Sequence, residues 1–346
     1  MYLFVLALIV ILCLFGELTK DRFFGIPILL VLIVLAGFRL DVGRDYSYYM
    51  YLFEYQNSGR ALPVKEPGYL LFISLVKEVG GTQQLVFFIV SALTVLFNFI
   101  FIKTQSKYFY LSLLTYICIG TLYMASFNQI RQYLAIGVFL YSLKYIQSRS
   151  FIKYFAVLLI TAYFAHFTII LLLPFYFLLH RPFSTKQRLV LLTAVALSLP
   201  VLEMVILNSP YRYFLLARLE VPYDKTLIYV QMGISFMIIF AERFIKNDAY
   251  RIFYNMNYFS LLISLPIILS PYLPWEVFQR MNNYFTPYIV ILFPYLLFRF
   301  KPSFVSVFSG SAYVLLLLLY FVRTTIFLGE FYDISPYQAN FILFNF

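Results

Sequence analysis

The chain has 346 residues, of which 63% are hydrophobic, 21% aromatic and only 12% charged; at roughly half the charged share of a soluble domain, water cannot be its main solvent. The formal charge of +11 does not indicate nucleic acid, because the basic residues stand singly between apolar runs rather than in one patch or stripe. Cys13 and Cys118 sit inside apolar runs without pairing or ligand spacing, so neither a disulfide framework nor a metal site is indicated, and both read as packing residues.

The first apolar run, Tyr2 to Gly16, starts directly after Met1 with no basic segment and no small-residue cleavage site. It predicts a membrane helix rather than a removable signal. Further helices are predicted near residues 23–38, 84–102, 108–124, 132–147, 150–165, 167–180, 188–207, 227–243, 252–270, 282–298 and 302–322. Many of them approach the roughly 20 residues needed to cross about 30 Å of hydrocarbon. The expected fold is therefore all-α, a polytopic integral membrane protein with about 12 transmembrane helices in a single membrane domain, residues 1–346. Residues 150–165 and 167–180 are read as a tight hairpin with Ala165 and His166 at its apex, because basic clusters flank both ends.

With this assignment the connections alternate between two sides. One side holds more than half of the 26 basic residues, from Lys20 to Lys301, but only Glu17, Asp21, Glu242 and Asp248 among the acidic ones. By the positive-inside rule that side is cytoplasmic. Both termini then lie outside, as do the segments 39–83, 208–226 and 323–346, which are expected to form the catalytic face together with short external helices. The cytoplasmic connections are short, and no Walker-type glycine loop occurs, so no nucleotide-binding domain is expected.

The external segments carry the candidate chemistry. Arg39, Asp41, Arg44 and Asp45, followed by Tyr46, Tyr48 and Tyr49, stand at the outer end of the second helix. They suit an interfacial belt, or a site in which guanidinium groups bind phosphate and a carboxylate serves as base. Lys65-Glu66-Pro67-Gly68-Tyr69 opens a helix running to Glu78; Pro67 fits a first turn, and Glu66 is either a dipole-complementing residue or a catalyst. In Phe127-Asn128-Gln129-Ile130-Arg131-Gln132, Arg131 lies so close to hydrocarbon that it requires a partner. His166, between two apolar runs, is a hydrogen-bonded core residue or a functional ionisable group. His180 reads as an ordinary helix end, and Arg280 opens a late helix from outside. The tail, with Arg323, Glu330, Asp333 and Ser335-Pro336-Tyr337-Gln338, closes over the external face or forms a passive surface.

FRLDVGRDYSYY, KEPGYLLF, NQIRQYLAIGVFLYSLKY, AHFTIILLLPFYF, QRMNNYF and SPYQ follow one another in order. Over about residues 37 to 340 this series resembles the EpsG-type group of Wzy-like bacterial polysaccharide polymerases. The resemblance implies a GT-C-like inner-membrane glycosyltransferase that joins undecaprenyl-diphosphate-linked repeat units into O antigen, capsule or exopolysaccharide on the external side, inverting the anomeric centre. Carried over by motif, it singles out Arg39, Arg44, Asp45, Glu66, Tyr69, Arg131, Gln132, His166 and Arg280. The roles we infer for them are catalysis by Asp45 or Glu66 as base, with His166 as base in their place or as a phosphate-binding group, and diphosphate or sugar binding by Arg39, Arg44, Tyr46, Tyr69, Arg131, Gln132 and Arg280, with Arg44, Arg131 and Arg280 as the diphosphate cradle. No cofactor or metal is expected. The partners expected are the lipid-linked donor and acceptor, membrane lipid, a chain-length regulator and a repeat-unit flippase, and no nucleic acid. Two other readings share the pattern: an O-antigen ligase, for which the segment 208–226 is short of the large external domain expected, and a flippase, which would spread polar residues along a path to both faces.

Overall fold

Long apolar stretches can satisfy their backbone groups in lipid only by coiling into helices, and helices make up most of the described chain. The computed structural model describes residues 1–58, 62, 64–208, 226–244, 247–270, 273, 275–299, 304–331 and 333–344. Among them the one sheet is a two-stranded ladder. Among the described residues five helices are long and apolar enough to cross a membrane, Tyr2–Thr19, Gln83–Gln105, Thr185–Val205, Asp248–Leu269 and Val307–Phe327. Shorter apolar helices at Arg22–Gly37, Phe109–Cys118, Phe151–Phe164, Ile228–Glu242 and Tyr288–Leu297 accompany them. The protein is an all-α polytopic membrane protein. The chain divides into two compact units, Met1–Pro174 with Phe300–Phe346, and Phe175–Arg299.

The first unit contains α1 (Tyr2–Thr19), α2 (Gly25–Gly37), α3 (Tyr46–Tyr55), α4 (Pro67–Glu78), α5 (Gln83–Gln105), α6 (Phe109–Cys118), α7 (Ile130–Gln147) and α8 (Phe151–Phe164), with α15 (Phe304–Val322) from the C-terminal part. At its centre α5 packs between α2 and α7. Its buried Thr94 and Asn98 donate to the carbonyls of Val90 and Thr94, at 2.8 and 2.9 Å, and so enter the core without unpaired donors. The short α3 and α4 occupy the segment 39–83. Tyr46, Tyr49 and Leu52 of α3 and Tyr69, Ile73 and Val76 of α4 recur at helical spacing and share one buried cluster with Val86, Phe87 and Val90 of α5.

The tail is a strap rather than a passive surface. β2 (Gln338–Ala339) pairs antiparallel with β1 (Arg39–Leu40), and the Asn340 amide donates to the Phe38 carbonyl at 2.8 Å. The hydroxyls of Tyr2 and Tyr337 donate to the carbonyls of Ile334 and Leu35, and the Thr82 amide donates to Leu343. The Gly43 amide donates to the Asp333 carbonyl at 2.6 Å. That corner needs glycine, because φ is +104° and a Cβ would lie 2.6 Å from the Phe127 carbonyl oxygen.

After α8 the chain folds back, as the hairpin reading required, with Ala165 and His166 at the turn. The Tyr154 hydroxyl near the start of α8 reaches the Leu172 carbonyl at 2.8 Å. The return limb is not one helix over 167–180 but a 3₁₀ segment, Phe167–Leu172, followed by α9 (Phe175–His180). Pro174 between them lacks a donor, which interrupts the hydrogen-bond ladder there even though Leu173 keeps right-handed helical geometry. The helix expected over 108–124 stops at Cys118, and the one expected over 282–298 starts at Tyr288, behind Pro287.

The second unit holds α9, α10 (Thr185–Leu207), α11 (Thr226–Glu242), α12 (Arg251–Leu269), α13 (Trp275–Asn282) and α14 (Tyr288–Leu297). Its core is α12, which packs against each of the others. Polar side chains join it to its neighbours. Gln231 donates to the Ser260 hydroxyl at 2.7 Å, Ser260 donates to Asn282 Oδ1 at 2.7 Å, and Asn282 Nδ2 donates to Ser264 at 3.1 Å. Asn255 Nδ2 donates to the carbonyls of Leu179 and Arg181, both at 2.9 Å, and terminates α9. Arg188 grips Glu242 with two nitrogens, tying the start of α10 to the end of α11. Most of the expected external segment 208–226 lies outside the described residues.

Candidate active site

Three ionisable side chains from distant parts of the chain meet inside the first unit. Glu66 stands at the N-cap of α4 in extended backbone geometry, with Pro67 behind it in the first turn, where its missing amide hydrogen costs nothing. Arg131 lies in the first turn of α7, and His166 is the N-cap of the 3₁₀ segment after α8. The approach of α4 to α8 depends on Gly68, since a Cβ there would fall 2.5 Å from the Tyr163 ring and 2.8 Å from that of Phe164.

The carboxylate of Glu66 is held on both oxygens. Arg131 Nη1 donates to Oε2 at 2.6 Å, while His166 Nδ1 and the Phe167 backbone amide each meet Oε1 at 3.0 Å. The group is shielded but not sealed, with side-chain exposures of 5% for Glu66, 13% for Arg131 and 16% for His166. Burial by itself would raise the Glu66 carboxyl. The hydrogen bonds from His166 and Phe167 and the Arg131 charge outweigh it and bring the group down to about 2. The carboxylate is therefore ionised at any physiological pH. Because its folded value is depressed, its stabilising contribution is complete above the ordinary value of 4.5 and is lost as pH falls towards 2. Thermal unfolding in detergent from pH 6 to 3 is expected to show an acid-dependent stability difference between wild type and Glu66→Gln, which shrinks as the carboxylate takes up its proton.

Tyrosines line the guanidinium. Arg131 lies 5.2 Å from the Tyr69 ring centroid, and the Tyr49 hydroxyl is hydrogen-bonded to Arg131. Tyr48 feels the charges of both Arg131 and Glu66. Arg131 Nε is buried and has no hydrogen-bond acceptor among the described residues. A buried donor in that state fits an oxygen brought by a ligand.

Of the residues read from the sequence, Glu66, Tyr69, Arg131 and His166 are brought together, with Gln132 buried beside Arg131 on α7. Asp45 occupies the N-cap position of α3 without a side-chain cap hydrogen bond, and its charge acts on Tyr48 and Tyr49. The others do different work. Arg39 is 0% exposed, and its guanidinium donates to the carbonyls of Ala36, Val42 and Phe127 and to the Ser91 hydroxyl. It lies between the Phe87 and Phe127 rings, 4.7 and 5.1 Å from their centroids. Tyr46 is likewise a core residue, stacked on Phe87 at 4.9 Å. Arg44 is exposed and fastens the strap, pairing with Asp333 at 3.5 Å and donating to the Phe331 carbonyl. Arg280 is an exposed residue of α13 in the second unit. Of the expected cradle, Arg44 and Arg131 belong to the first unit and Arg280 to the second. The sequence reading passed over the Phe167 amide and the role of Gly68; no side-chain pattern announces either, although Gly68 stands within the quoted KEPGY motif.

An all-α membrane protein in which a carboxylate, a guanidinium and an imidazole meet among tyrosines is equipped for proton transfer and anion binding on a polar substrate. The sequence signature of the EpsG family matches residues 22–339, and the chain belongs to that family. Membership assigns it to membrane proteins of polysaccharide polymerisation. No curated protein and no solved structure matches it.

Proposed function

We propose that this protein is an inverting glycosyltransferase that joins undecaprenyl-diphosphate-linked oligosaccharide units into a polysaccharide, O antigen, capsule or exopolysaccharide, on the external side of the bacterial cytoplasmic membrane. The observation that carries the reading is the junction of Glu66, Arg131 and His166, which places an anion-binding group and proton-accepting groups within one hydrogen-bonded cluster. In the reaction an acceptor hydroxyl oxygen forms a bond to the anomeric carbon of the donor. The bond from that carbon to the diphosphate breaks, and its electron pair departs with the phosphate. The hydroxyl proton passes to a base of the cluster. Attack opposite the leaving group produces inversion in one displacement.

Arg131 is the group suited to the departing diphosphate, because its buried Nε–H has no acceptor within the described protein and guanidinium binds phosphate oxygens by planar hydrogen bonds. The charge that develops on the phosphate is stabilised there, and the scheme invokes no metal. Tyr48, which is only half-buried, adds a ring and hydroxyl suited to a sugar face, while the buried Tyr49 and Tyr69 back the guanidinium from the core. Chain-length control and supply of the lipid-linked units belong to partner proteins in this reading.

Purified protein in liposomes, given lipid-linked repeat units on the outer side, tests it. A ladder of lipid-linked products, each longer by one repeat unit, is expected. Movement of single units across the bilayer with no new glycosidic bond would make the protein a transporter and overturn the reading.

A further inference from the structure

We propose that His166 is the proton acceptor for the attacking hydroxyl and that Glu66 is a positioning residue, dividing the site into an acceptor side at His166 and a donor side at Arg131. This rests on the polymerase reading and assigns the roles within its site.

Both oxygens of Glu66 are engaged. Oε1 takes the His166 ring and the Phe167 amide, and Oε2 takes the Arg131 guanidinium. A carboxylate fixed by three donors on two oxygens is a poor partner for an incoming hydroxyl and a good holder of a ring. The contact from Nδ1 to an ionised Oε1 at 3.0 Å requires the hydrogen on Nδ1. In the neutral ring the lone pair then lies on Nε2, across the imidazole, where no protein hydrogen bond is made among the described residues. When Nε2 accepts the hydroxyl proton, the imidazolium stands against the Glu66 carboxylate, which stabilises it where it forms. The backbone amide of Phe167, the residue next to His166, grips the same oxygen, so the ring and the carboxylate are fixed to one another through main chain as well as side chain.

The donor side follows from the other oxygen. Arg131 turns one nitrogen to Oε2 and keeps a buried Nε–H without an acceptor. The guanidinium and the imidazole meet different oxygens of the Glu66 carboxylate, so in this assignment the diphosphate and the attacking hydroxyl are served by separate groups. The step balances: the hydroxyl gives its proton to Nε2 and its oxygen to the anomeric carbon, and the diphosphate leaves with the electron pair. Product release and loss of the proton to water restore the neutral ring.

Steady-state rates in the liposome assay, with donor and acceptor varied separately, test the assignment. His166→Ala is expected to lower kcat by about 100-fold or more and to regain part of it with added imidazole, a rescue that a structural role for the ring would not give. Glu66→Gln is expected to lower kcat with little change in either KM and to show no imidazole rescue, whereas Glu66→Asp recovers part of the activity. Arg131→Lys is expected to raise KM for the donor and leave that for the acceptor unchanged. His166→Ala within about threefold of the wild-type rate overturns the assignment, whichever of Glu66 and Asp45 then proves essential. Absence of any polymer from the wild-type protein would instead overturn the polymerase reading on which it rests.

Discussion

Arg131→Ala is expected to abolish polymer while leaving the protein inserted and folded. The substitution removes the donor to Glu66 Oε2, the cation near the Tyr69 ring and the buried Nε–H that has no acceptor among the described residues. Loss of one preorganised donor to a developing anion costs about 10² to 10³ in rate. Here the neighbouring carboxylate also loses the positive charge that helps keep it ionised, so the loss is expected at the upper end of that range. Arg131→Lys separates the two contributions, because lysine keeps the charge but not the planar fork, and an intermediate rate is expected. Rates on lipid-linked units, together with membrane fractionation to verify insertion, make the measurement. Long-chain polymer from Arg131→Ala would remove this residue from the site.

Arg39→Met is expected to fail in a different way, through folding. Arg39 carries a formal charge into a wholly buried position. There the carbonyls of Ala36, Val42 and Phe127, the Ser91 hydroxyl and two aromatic rings replace water. Burial brings its pKa down to about 10, so it remains protonated at neutral pH. Taking the guanidinium away deprives the carbonyls of Val42 and Phe127 of this donor, whereas the Ala36 carbonyl keeps the Ser91 hydroxyl. Each buried group left unsatisfied costs about 1 to 3 kcal/mol. The strand pairing of Arg39 with Ala339 and the Gly43 corner lie next to it, so the strap is expected to loosen with it. Thermal unfolding in detergent and limited proteolysis of the tail should both register the change, and Arg39→Lys should fall between methionine and wild type. An unchanged melting temperature in Arg39→Met would show that the charge contributes nothing to the fold.

These two arginines show how far the sequence could be read. Charge and tyrosine crowding at the end of a helix marked the segment 39–49 as important, but sequence carries no depth. One arginine at the same helix end turns inward to main-chain carbonyls, and another, Arg44, turns outward to the strap. Most helices were legible because apolar runs longer than a few turns have one stable solution in lipid, and their ends fell close to the prolines and charged residues. The breaks were less so. Pro174 and Pro287 end or delay helices, whereas Pro200, Pro266 and Pro294 lie within them, and the difference is set by neighbouring packing. Helix α3 was missed although Tyr46, Tyr49 and Leu52 have helical spacing, since the surrounding charges read as a loop.

The candidate site was legible in its parts. Glu66, Arg131 and His166 each stood out as an ionisable residue beside apolar sequence, and each had a bland alternative. Their meeting could not be read, because it depends on the fold-back after α8 and on the bare backbone at Gly68, where α4 approaches the Tyr163 ring.

The measurement that tests the central claim most directly is a double-mutant cycle on polymerisation rate with Glu66→Gln, His166→Ala and the two combined. If carboxylate and imidazole act as one unit, the double variant should be no slower than the worse single variant by more than a few-fold. If the two losses multiply instead, the residues act independently, and the junction seen in the structure is not what drives the chemistry.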